Sequence, residues 1–283
     1  MEKKFDLYAE VTNRIIEQLE QGRIPWVKPW TGSLEGAFNR KSKKAYSFMN
    51  QMLLKHEGEY ATFKQWQELG GTVRKGEKSE MVVFWKMLPI EDVDKDGKKV
   101  KKTIPFLRYY NVFHISQIEG VEPLKLEERK IVKGIAEIDD IINNYGKRTG
   151  LRIEEISGDK AFYNFVFDYI NVPKRTQFTN TEEFYSTLFH ECVHSTGHWK
   201  RLDRPMQGWY EKTAYAKEEL IAEIGACYCL NKCGISTDFT EKNSVAYIQS
   251  WLTALRNDKR LIVSAAGKAQ KACELIFDEI EVA

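Results

Sequence analysis

The sequence predicts an α+β protein with two domains, a small α+β domain followed by a mostly helical domain with a short sheet. The chain has 283 residues, enough for a core in each of two domains. Stretches with apolar residues at helical spacing alternate with short runs rich in β-branched and aromatic residues, as in mixed folds. The polar segment 119–127 contains Gly and Pro and marks the boundary, so the domains are expected at residues 1–122 and 123–283.

In the N-terminal part, apolar residues spaced for one helix face predict a helix over residues 5–22, ended by Gly22. Two shorter helical patterns and two strand patterns follow. The strands flank an Asp- and Lys-rich segment containing Asp96-Gly97, which is typical of a hairpin turn. The predicted elements are helices at 47–54 and 62–69, strands at 81–85 and 103–115, and the turn at 92–102.

In the C-terminal part, helical patterns dominate. Two strand patterns lie at 151–155 and 165–172, and Pro173 ends the second because proline cannot donate a ladder hydrogen bond. The predicted helices are 128–147, 182–196, 214–233, 244–257 and 265–280.

Composition excludes several classes of protein. No apolar run approaches the roughly 18–20 residues that a membrane span needs, and the N-terminus lacks the apolar core of a signal peptide. Five cysteines, an odd number without framework spacing, suit a reducing compartment, so a cytoplasmic protein with no membrane partner is expected.

Charge and aromatic residues are unevenly distributed. Residues 1–120 contain 21 Lys and Arg against 16 Asp and Glu, whereas the rest contains 22 against 25. Residues 38–48 interleave basic and aromatic side chains, the two ingredients that hold single-stranded nucleic acid. The N-terminal part is therefore a candidate nucleic-acid-binding domain.

The motif His-Glu-x-x-His predicts a metal site on a helix. Residues four apart lie on one helix face, so His190 and His194 can both bind one ion. Zinc at such a site lowers the pKa of a water molecule to about 7, and Glu191 is placed to accept its proton as general base. The helix is supported independently, because Asn180 or Thr181 can cap its N-terminus.

A third ligand is expected from the acidic helical pattern at 214–223. In zinc peptidases of the gluzincin type, a glutamate on a second helix completes the site, and an acidic residue one turn later orients a ligand histidine. Glu219 and Glu223 have this i, i+4 relation. Glu218 remains the alternative ligand, because helical phase cannot separate neighbours before the packing of the helices is known.

His198 is expected outside the ligand set. A metzincin has its third histidine six residues after the second, where this sequence has Lys200. His198 is therefore interpreted as a group supporting a ligand or the transition state, or as a structural residue. The cysteines with no Cys-x-x-Cys spacing are interpreted as buried thiols, namely Cys192, Cys227, Cys229 and Cys233.

Motifs in order along most of the chain resemble one known family. In the N-terminal part they are Ile24-Pro-Trp-Val-Lys-Pro-Trp30, Tyr46-Ser-Phe-Met-Asn50, Phe63-Lys-Gln-Trp66, Gly70-Gly-Thr-Val-Arg-Lys-Gly-Glu77 and Tyr109-Tyr-Asn-Val-Phe113. In the C-terminal part they run from Phe184 to His198 and continue with Arg201-Leu202, Tyr215 to Glu223, and Ala246 to Leu252. Through them the chain resembles the ArdC-type antirestriction proteins of conjugative plasmids, other mobile elements and phages.

This resemblance implies an N-terminal domain that binds single-stranded DNA and a C-terminal zincin-like metallopeptidase domain with Zn²⁺ as cofactor. Matched by motif, the implied ligands are His190, His194 and Glu219, and the implied general base is Glu191. His198 and Glu223 take supporting positions. The DNA-contacting residues we expect from the basic, aromatic segments are Arg40, Lys43, Lys44, Tyr46, Arg74 and Lys75.

The leading hypothesis is an antirestriction protein of a mobile element or phage that binds single-stranded DNA and carries a zinc metallopeptidase site for an unidentified protein substrate. One alternative is a metallopeptidase whose N-terminal domain binds protein rather than DNA. Another is a DNA-binding protein with a catalytically silent metal site. The intact Glu191 argues against the latter, because a structural site needs no general base.

Overall fold

The computed structural model describes residues 6–27, 36–93, 99–124, 135–204, 212–235 and 241–280. Its helices and three small sheets make an α+β protein, as predicted. The chain divides into two compact units, one with residues 1–10 and 35–126, the other with 11–34 and 127–283. The second unit thus includes a segment on the N-terminal side of the predicted boundary, and that boundary at 122/123 stays a prediction.

The first unit contains a four-stranded sheet and a two-stranded sheet. The strands are β1 (Ala37–Asn39), β2 (Gly58–Thr62), β3 (Thr72–Val73), β4 (Glu80–Val93), β5 (Lys99–His114) and β6 (Ile118–Glu119). The larger sheet has the order β1-β2-β5-β4, with β1 parallel to β2 and the other pairs antiparallel. The smaller sheet pairs β3 with β6.

Two strands are longer than the sequence predicted, and four short ones were missed, namely β1, β2, β3 and β6. β4 and β5 stay paired as far as Val93 and Lys99, so both ends of the predicted turn at 92–102 belong to the strands. The remaining residues of that prediction, 94–98, lie outside the described residues. The register places Glu91 opposite Lys101 in this part of the ribbon. β1 and β2 have three and five residues, too few for an alternating pattern to stand out.

The helices of this unit lie where they were predicted, and their polar side chains support the sheet. They are α1 (Leu7–Glu20), of which only the start belongs here, α2 (Phe48–Leu53) and α3 (Phe63–Glu68), and Ile115–Gln117 form a 3-10 turn. The buried amide of Asn50 accepts a hydrogen bond from the Val83 N–H and donates to the Val83 carbonyl, at 2.7 and 2.8 Å. Gln51 makes the same double contact with Ala37. Both amides satisfy edge-strand groups that would otherwise need water.

The second unit contains five complete helices and a three-stranded sheet among its described residues. The elements are α4 (Ile135–Thr149), β7 (Arg152–Ile156), β8 (Phe162–Asn164), β9 (Tyr169–Pro173), α5 (Thr181–Ser195), α6 (Lys212–Cys233), α7 (Glu241–Asn257) and α8 (Leu261–Ile276), with a 3-10 turn at Arg175–Gln177. The sheet has the order β7-β9-β8, with β7 parallel and β8 antiparallel to β9.

One strand prediction in this unit was wrong in its boundaries. Residues 165–168 form a turn between β8 and β9 rather than the start of a strand. Asp168 there has a φ of 50°, a left-handed conformation that interrupts a strand. The apolar run Phe165-Val166-Phe167 resembles a buried strand in sequence, but Val166 and Phe167 are exposed.

The core of the second unit is arranged around α6, which packs against α5 and α8. Residues 11–27 add to it, since the Thr12 hydroxyl donates to the Lys259 carbonyl at 2.7 Å and Trp26 packs edge-on against Trp251. All five cysteines are buried and none forms a disulfide, and four of them were interpreted as buried thiols from the sequence. No helix of the described part is long and apolar enough to cross a membrane.

Candidate metal centre

The first half of the site lies on α5, whose N-terminus is capped as the sequence predicted. The Asn180 side chain accepts a hydrogen bond from the Glu183 N–H at 2.7 Å, and acidic residues fill the first turn. The helical spacing places the rings of His190 and His194 side by side, with their centroids 4.7 Å apart. Glu191 is buried next to them.

A close approach of two helices brings in the second half. A Cβ atom at Gly225 of α6 would lie 2.8 and 2.9 Å from the two methyl groups of Val193 on α5. Only glycine leaves room for this contact, so α6 can lie directly against the face of α5 that carries the histidines. The contact orients the acidic residues of α6 toward that face.

Three donor atoms converge between the helices, from His190, His194 and Glu219, all within 4.8 Å of one another. The two histidine Nε2 atoms are 3.0 Å apart, and the Glu219 carboxylate oxygens lie 3.3 Å from His194 Nε2 and 3.6 Å from His190 Nε2. Ligand atoms of a tetrahedral zinc are about 3.4 Å apart, since each bond is about 2.0–2.2 Å. The three side chains therefore fit a small divalent cation.

The other nitrogen of each histidine faces a further carboxylate. His190 Nδ1 lies 3.5 Å from Glu223 Oε1, and His194 Nδ1 lies 3.5 Å from Glu218 Oε1. Glu218 thus lies behind a histidine rather than among the converging donors, where Glu219 is found. Carboxylates in these positions fix the ring orientation and make the metal-binding nitrogen more basic.

The charges around the histidines shift their pKa values. Burial lowers the pKa of His194, but hydrogen bonds with Glu218 and Glu219 outweigh it and raise that pKa to about 10. Burial raises the pKa of Glu219, but the two histidines outweigh this and hold it far below its usual range. Burial raises the pKa of Glu223, and the charge of Glu219 adds to the effect. A cluster so rich in carboxylates favours a bound cation.

Sequence reasoning missed Arg204, which fixes Glu218. Its guanidinium donates to both Glu218 oxygens, at 3.2 and 2.5 Å, and to the Val193 carbonyl at 2.8 Å and the Thr196 hydroxyl at 2.6 Å. Arg204 therefore ties the end of α5 to α6 through the carboxylate that faces His194. No sequence motif indicated the role of Arg204, because Glu218 lies fourteen residues later on another element.

A second missed group is centred on Arg201. The Arg201 side chain donates to the Ser195 carbonyl at 2.7 Å, to the Tyr163 hydroxyl at 3.1 Å and to both Asp168 carboxylate oxygens. These contacts tie the last turn of α5 to the turn between β8 and β9. In the sequence, Arg201 stood out only as part of the family motif Arg201-Leu202. That motif did not indicate which groups the Arg201 side chain contacts.

His198 is buried in this neighbourhood. Its Nδ1 lies 3.9 Å from Asp168 Oδ2, and its ring packs 5.0 Å from that of Phe165. Burial lowers its pKa. Among the described residues His198 is outside the donor group, and its side chain contacts the β8–β9 turn together with its chain neighbours Trp199 and Lys200.

The residues expected to contact DNA occupy different environments. Arg40 forms an ion pair with the buried Glu59 and donates to the Glu122 carbonyl at 3.3 Å. Its positive charge is therefore balanced by a carboxylate of the same unit. Tyr46 is partly buried and packs against the core cluster around Tyr60. Arg74 is exposed and paired with Glu77 at 3.0 Å. The exposed lysines of the set are Lys43, Lys44 and Lys75.

Two family models match the chain. The model of the N-terminal domain of anti-restriction factor ArdC matches residues 5–113, and a zincin-like metallopeptidase model matches residues 138–268. The second model covers His190, Glu191, His194 and Glu219.

Curated relatives extend along the whole chain. Two DNA primases TraC of Escherichia coli are 33% and 32% identical over 304 and 297 residues. Those alignments cover 100% and 98% of this chain but only 21% and 27% of the primases. The protein y4eC of Sinorhizobium fredii is 32% identical over 284 residues, covering 95% of this chain and 91% of that protein.

Two solved structures share the fold over nearly the full length. The metal-free crystal structure of antirestriction ArdC protein from plasmid R388 has a TM-score of 0.75 at 39% identity, covering 96% of this chain and 97% of that one. The Mn(II)-bound structure has a TM-score of 0.76 at 37% identity, covering 97% and 98%. With both family models matched in order, this chain belongs to the ArdC family of antirestriction proteins and contains a zincin-like domain.

Proposed function

We propose that this chain is an antirestriction protein that holds single-stranded DNA with an N-terminal domain, residues 1–122, and cleaves a protein at a zinc centre in residues 123–283. The observation that carries the proposal is the convergence of donor atoms from His190, His194 and Glu219 beside Glu191. Membership of the ArdC family supports the combination of both activities in one chain.

The donor set favours zinc. Two imidazole nitrogens and one carboxylate oxygen, with a fourth position for water or substrate, are typical of catalytic zinc in peptidases. Magnesium and calcium prefer oxygen ligands throughout. The ArdC structure with Mn(II) supports a divalent metal in this family.

The proposed reaction is hydrolysis of a peptide bond. Zinc supplies a Lewis acid that polarises the peptide carbonyl and makes water acidic near neutral pH. Glu191 accepts the proton of the attacking water and passes it to the leaving amine. Glu218 and Glu223 hold the histidine rings in place, and the burial of Glu191 strengthens its interaction with developing positive charge.

The DNA-binding half is supported by the family model and by charge. Residues 1–120 carry an excess of basic residues, and exposed lysines at positions 43, 44 and 75 are available to phosphates. Cytoplasmic restriction enzymes attack entering DNA, and five cysteines without a disulfide fit that reducing compartment. We therefore place the proposed function in the cytoplasm.

The catalytic half is tested by metal content and peptidase activity. Full-length protein should retain about one zinc per chain, and His194→Ala should lose it, because a single remaining histidine holds zinc weakly. Glu191→Gln should keep the metal and lose cleavage in a screen of restriction-system proteins. Glu182→Gln, an exposed change in the first turn of the same helix, is the control. Zinc that stays bound in His194→Ala would refute this centre.

The antirestriction role is tested by transfer of unmodified plasmid DNA into a restricting cell. Wild-type protein should raise the yield of recipients, and Glu191→Gln should lower it if cleavage takes part. Equal yields of recipients with wild type and with Glu191→Gln would show that protection does not need catalysis. That result would remove the peptidase half of the proposal. A full-length protein that fails to bind single-stranded DNA even at low salt would remove the other half.

A further inference from the structure

β4 and β5 form a two-stranded ribbon that continues beyond their contact with the rest of the sheet. The two strands pair from Glu80↔Val112 to Val93↔Lys99, whereas β2 pairs with β5 only at residues 112–114. Along residues 99–111, β5 therefore has β4 on one edge and none of the described strands on the other. Cross-strand aromatic pairs stabilise such a ribbon, and rings that stay exposed on it are also available to a ligand.

Four aromatic side chains on this ribbon are about half exposed. The exposed fractions are 50% for Phe84, 46% for Trp85, 46% for Tyr109 and 47% for Tyr110. Val82 and Val112, which belong to the core cluster of the sheet, are buried. Along the ribbon, side chains are buried next to this core cluster and become exposed beyond it, from Phe84 and Tyr110 onward. Large exposed apolar groups gathered in one place mark an interaction surface.

The register arranges the four rings as two pairs, one on each face. Trp85 and Tyr109 are diagonal neighbours on one face, and Phe84 and Tyr110 are diagonal neighbours on the other, where Arg108 lies directly opposite Phe84. Diagonal neighbours in an antiparallel pair are about 7–8 Å apart. This is roughly twice the 3.4 Å rise between stacked bases, so the spacing suits a base placed between two rings.

The charge of the ribbon favours a polyanion. Arg108 is exposed, and its guanidinium lies 4.6 Å from the centroid of the Phe106 ring. Strands β4 and β5 together contain five basic and three acidic residues, so the ribbon has a net positive charge. Proteins combine basic groups with exposed rings in this way to hold single strands, because every base offers a face for stacking.

We propose that this ribbon is the surface on which the protein holds single-stranded DNA. Bases stack on the ring pair of one face, either Phe84 with Tyr110 or Trp85 with Tyr109, and the exposed Arg108 binds a phosphate. The inference rests on the proposed DNA-binding function and gives it a site that differs from the segments around residues 40 and 74. It also predicts a preference for single strands over duplex, since the bases of a duplex are already stacked and cannot reach the rings.

The test measures the affinity of the full-length protein for a fluorescent poly-dT oligonucleotide by anisotropy. One variant carries Trp85→Ala and Tyr109→Ala, another Phe84→Ala and Tyr110→Ala, and a third all four changes. Each lost stacking contact weakens binding by about fivefold or more, so each double variant that faces the DNA should lose at least tenfold. Trp85→Phe with Tyr109→Phe keeps the rings and should retain most of the affinity. Phe167→Ala, an exposed aromatic change in the other unit, is the matched control.

Arg108→Ala adds an independent measurement. Removing one phosphate contact should reduce the slope of log K against log salt by about 0.7. Weakened binding in either double variant supports the ribbon and identifies the face that the DNA occupies. Wild-type affinity in the fourfold variant overturns the inference and leaves the proposed DNA-binding function intact.

Other outcomes also separate the two proposals. Wild-type protein that binds no single strand removes the DNA-binding function and the ribbon site together. A fourfold variant that binds DNA normally but changes its oligomeric state shows that the ribbon contacts a second copy, which overturns the inference. Amide hydrogen exchange at β2 that matches wild type in every variant confirms that the first unit remains folded.

Discussion

Nδ1 of His194 lies 3.5 Å from Oε1 of Glu218, and the same carboxylate is held by Arg204 from the segment after α5. This relationship assigns different positions to two neighbouring glutamates. Glu219 lies among the donor atoms on the inner side of the histidines, whereas Glu218 lies behind one of them. The two residues are therefore expected to respond differently to mutation.

We predict that Glu219→Ala abolishes stoichiometric zinc binding, whereas Glu218→Ala weakens it by about 10- to 100-fold, as for residues that orient a ligand. The reason is that Glu219 supplies a donor atom and Glu218 only fixes a ring. Competition with a chelator of known affinity measures both. Equal losses in the two variants, or a larger loss in Glu218→Ala, would contradict the placement of these residues.

We predict that Gly225→Ala destabilises the protein by about 1–3 kcal/mol, although alanine is the better helix former. The added Cβ would lie 2.8 Å from a methyl group of Val193 and force α5 and α6 apart. Urea unfolding measures the loss, and Val193→Ala in the same chain should recover part of it. Gly267→Ala is the control, because nothing lies within 4 Å of a Cβ there and a gain of up to about 1 kcal/mol is expected. A neutral Gly225→Ala would show that the helices tolerate a wider separation.

We predict that Asp168 stabilises the fold by an amount that depends on pH. Burial raises the pKa of this carboxyl, but hydrogen bonds from Arg201 and Tyr163 outweigh it and lower the pKa below 3.8. A carboxyl with a lower pKa in the folded state stabilises the fold above its unfolded pKa, and that stabilisation is lost as the pH falls through the folded pKa. Asp168→Asn should therefore be less stable than wild type by about 1–3 kcal/mol at pH 7.

The difference between Asp168→Asn and wild type should shrink below about pH 4, where the wild-type carboxyl takes up its proton. Free energies of unfolding from denaturant titrations between pH 3 and 7 test this. Asp203→Asn is the matched control, since Asp203 also has a left-handed φ, 44° against 50° for Asp168. A difference that stays constant over the whole range would mean that the ion pair with Arg201 does not set the pH dependence.

We predict that Asn50→Leu destabilises the first unit by about 1–3 kcal/mol, because it leaves the Val83 N–H and carbonyl without their partner. The change should leave zinc content unaltered, since the metal centre lies in the other unit. Hydrogen exchange at β4 measures the local loss. Protection of the Val83 amide equal to that in wild type would show that the Asn50 side chain is dispensable.

The local features of the metal centre were predictable from the sequence because they depend on one helix. The spacing of His190 and His194 fixes their common face, and Asn180 caps the helix that carries them. The major helices followed from their apolar periodicity in the same way. The short strands β1 and β2 were not predictable, since they exist only through pairing with neighbours.

The sequence by itself determined the α+β class, the helices, the common face of the histidine pair with Glu191 beside it, and the resemblance to ArdC proteins. Only the tertiary structure distinguished Glu219 from Glu218, identified Arg204 behind the second, and showed that Arg40 is paired within its own unit. The physical reason is that helical periodicity constrains residues within one element. The distance between donors on two elements depends on how closely they pack, and here that packing is set by a missing Cβ at Gly225.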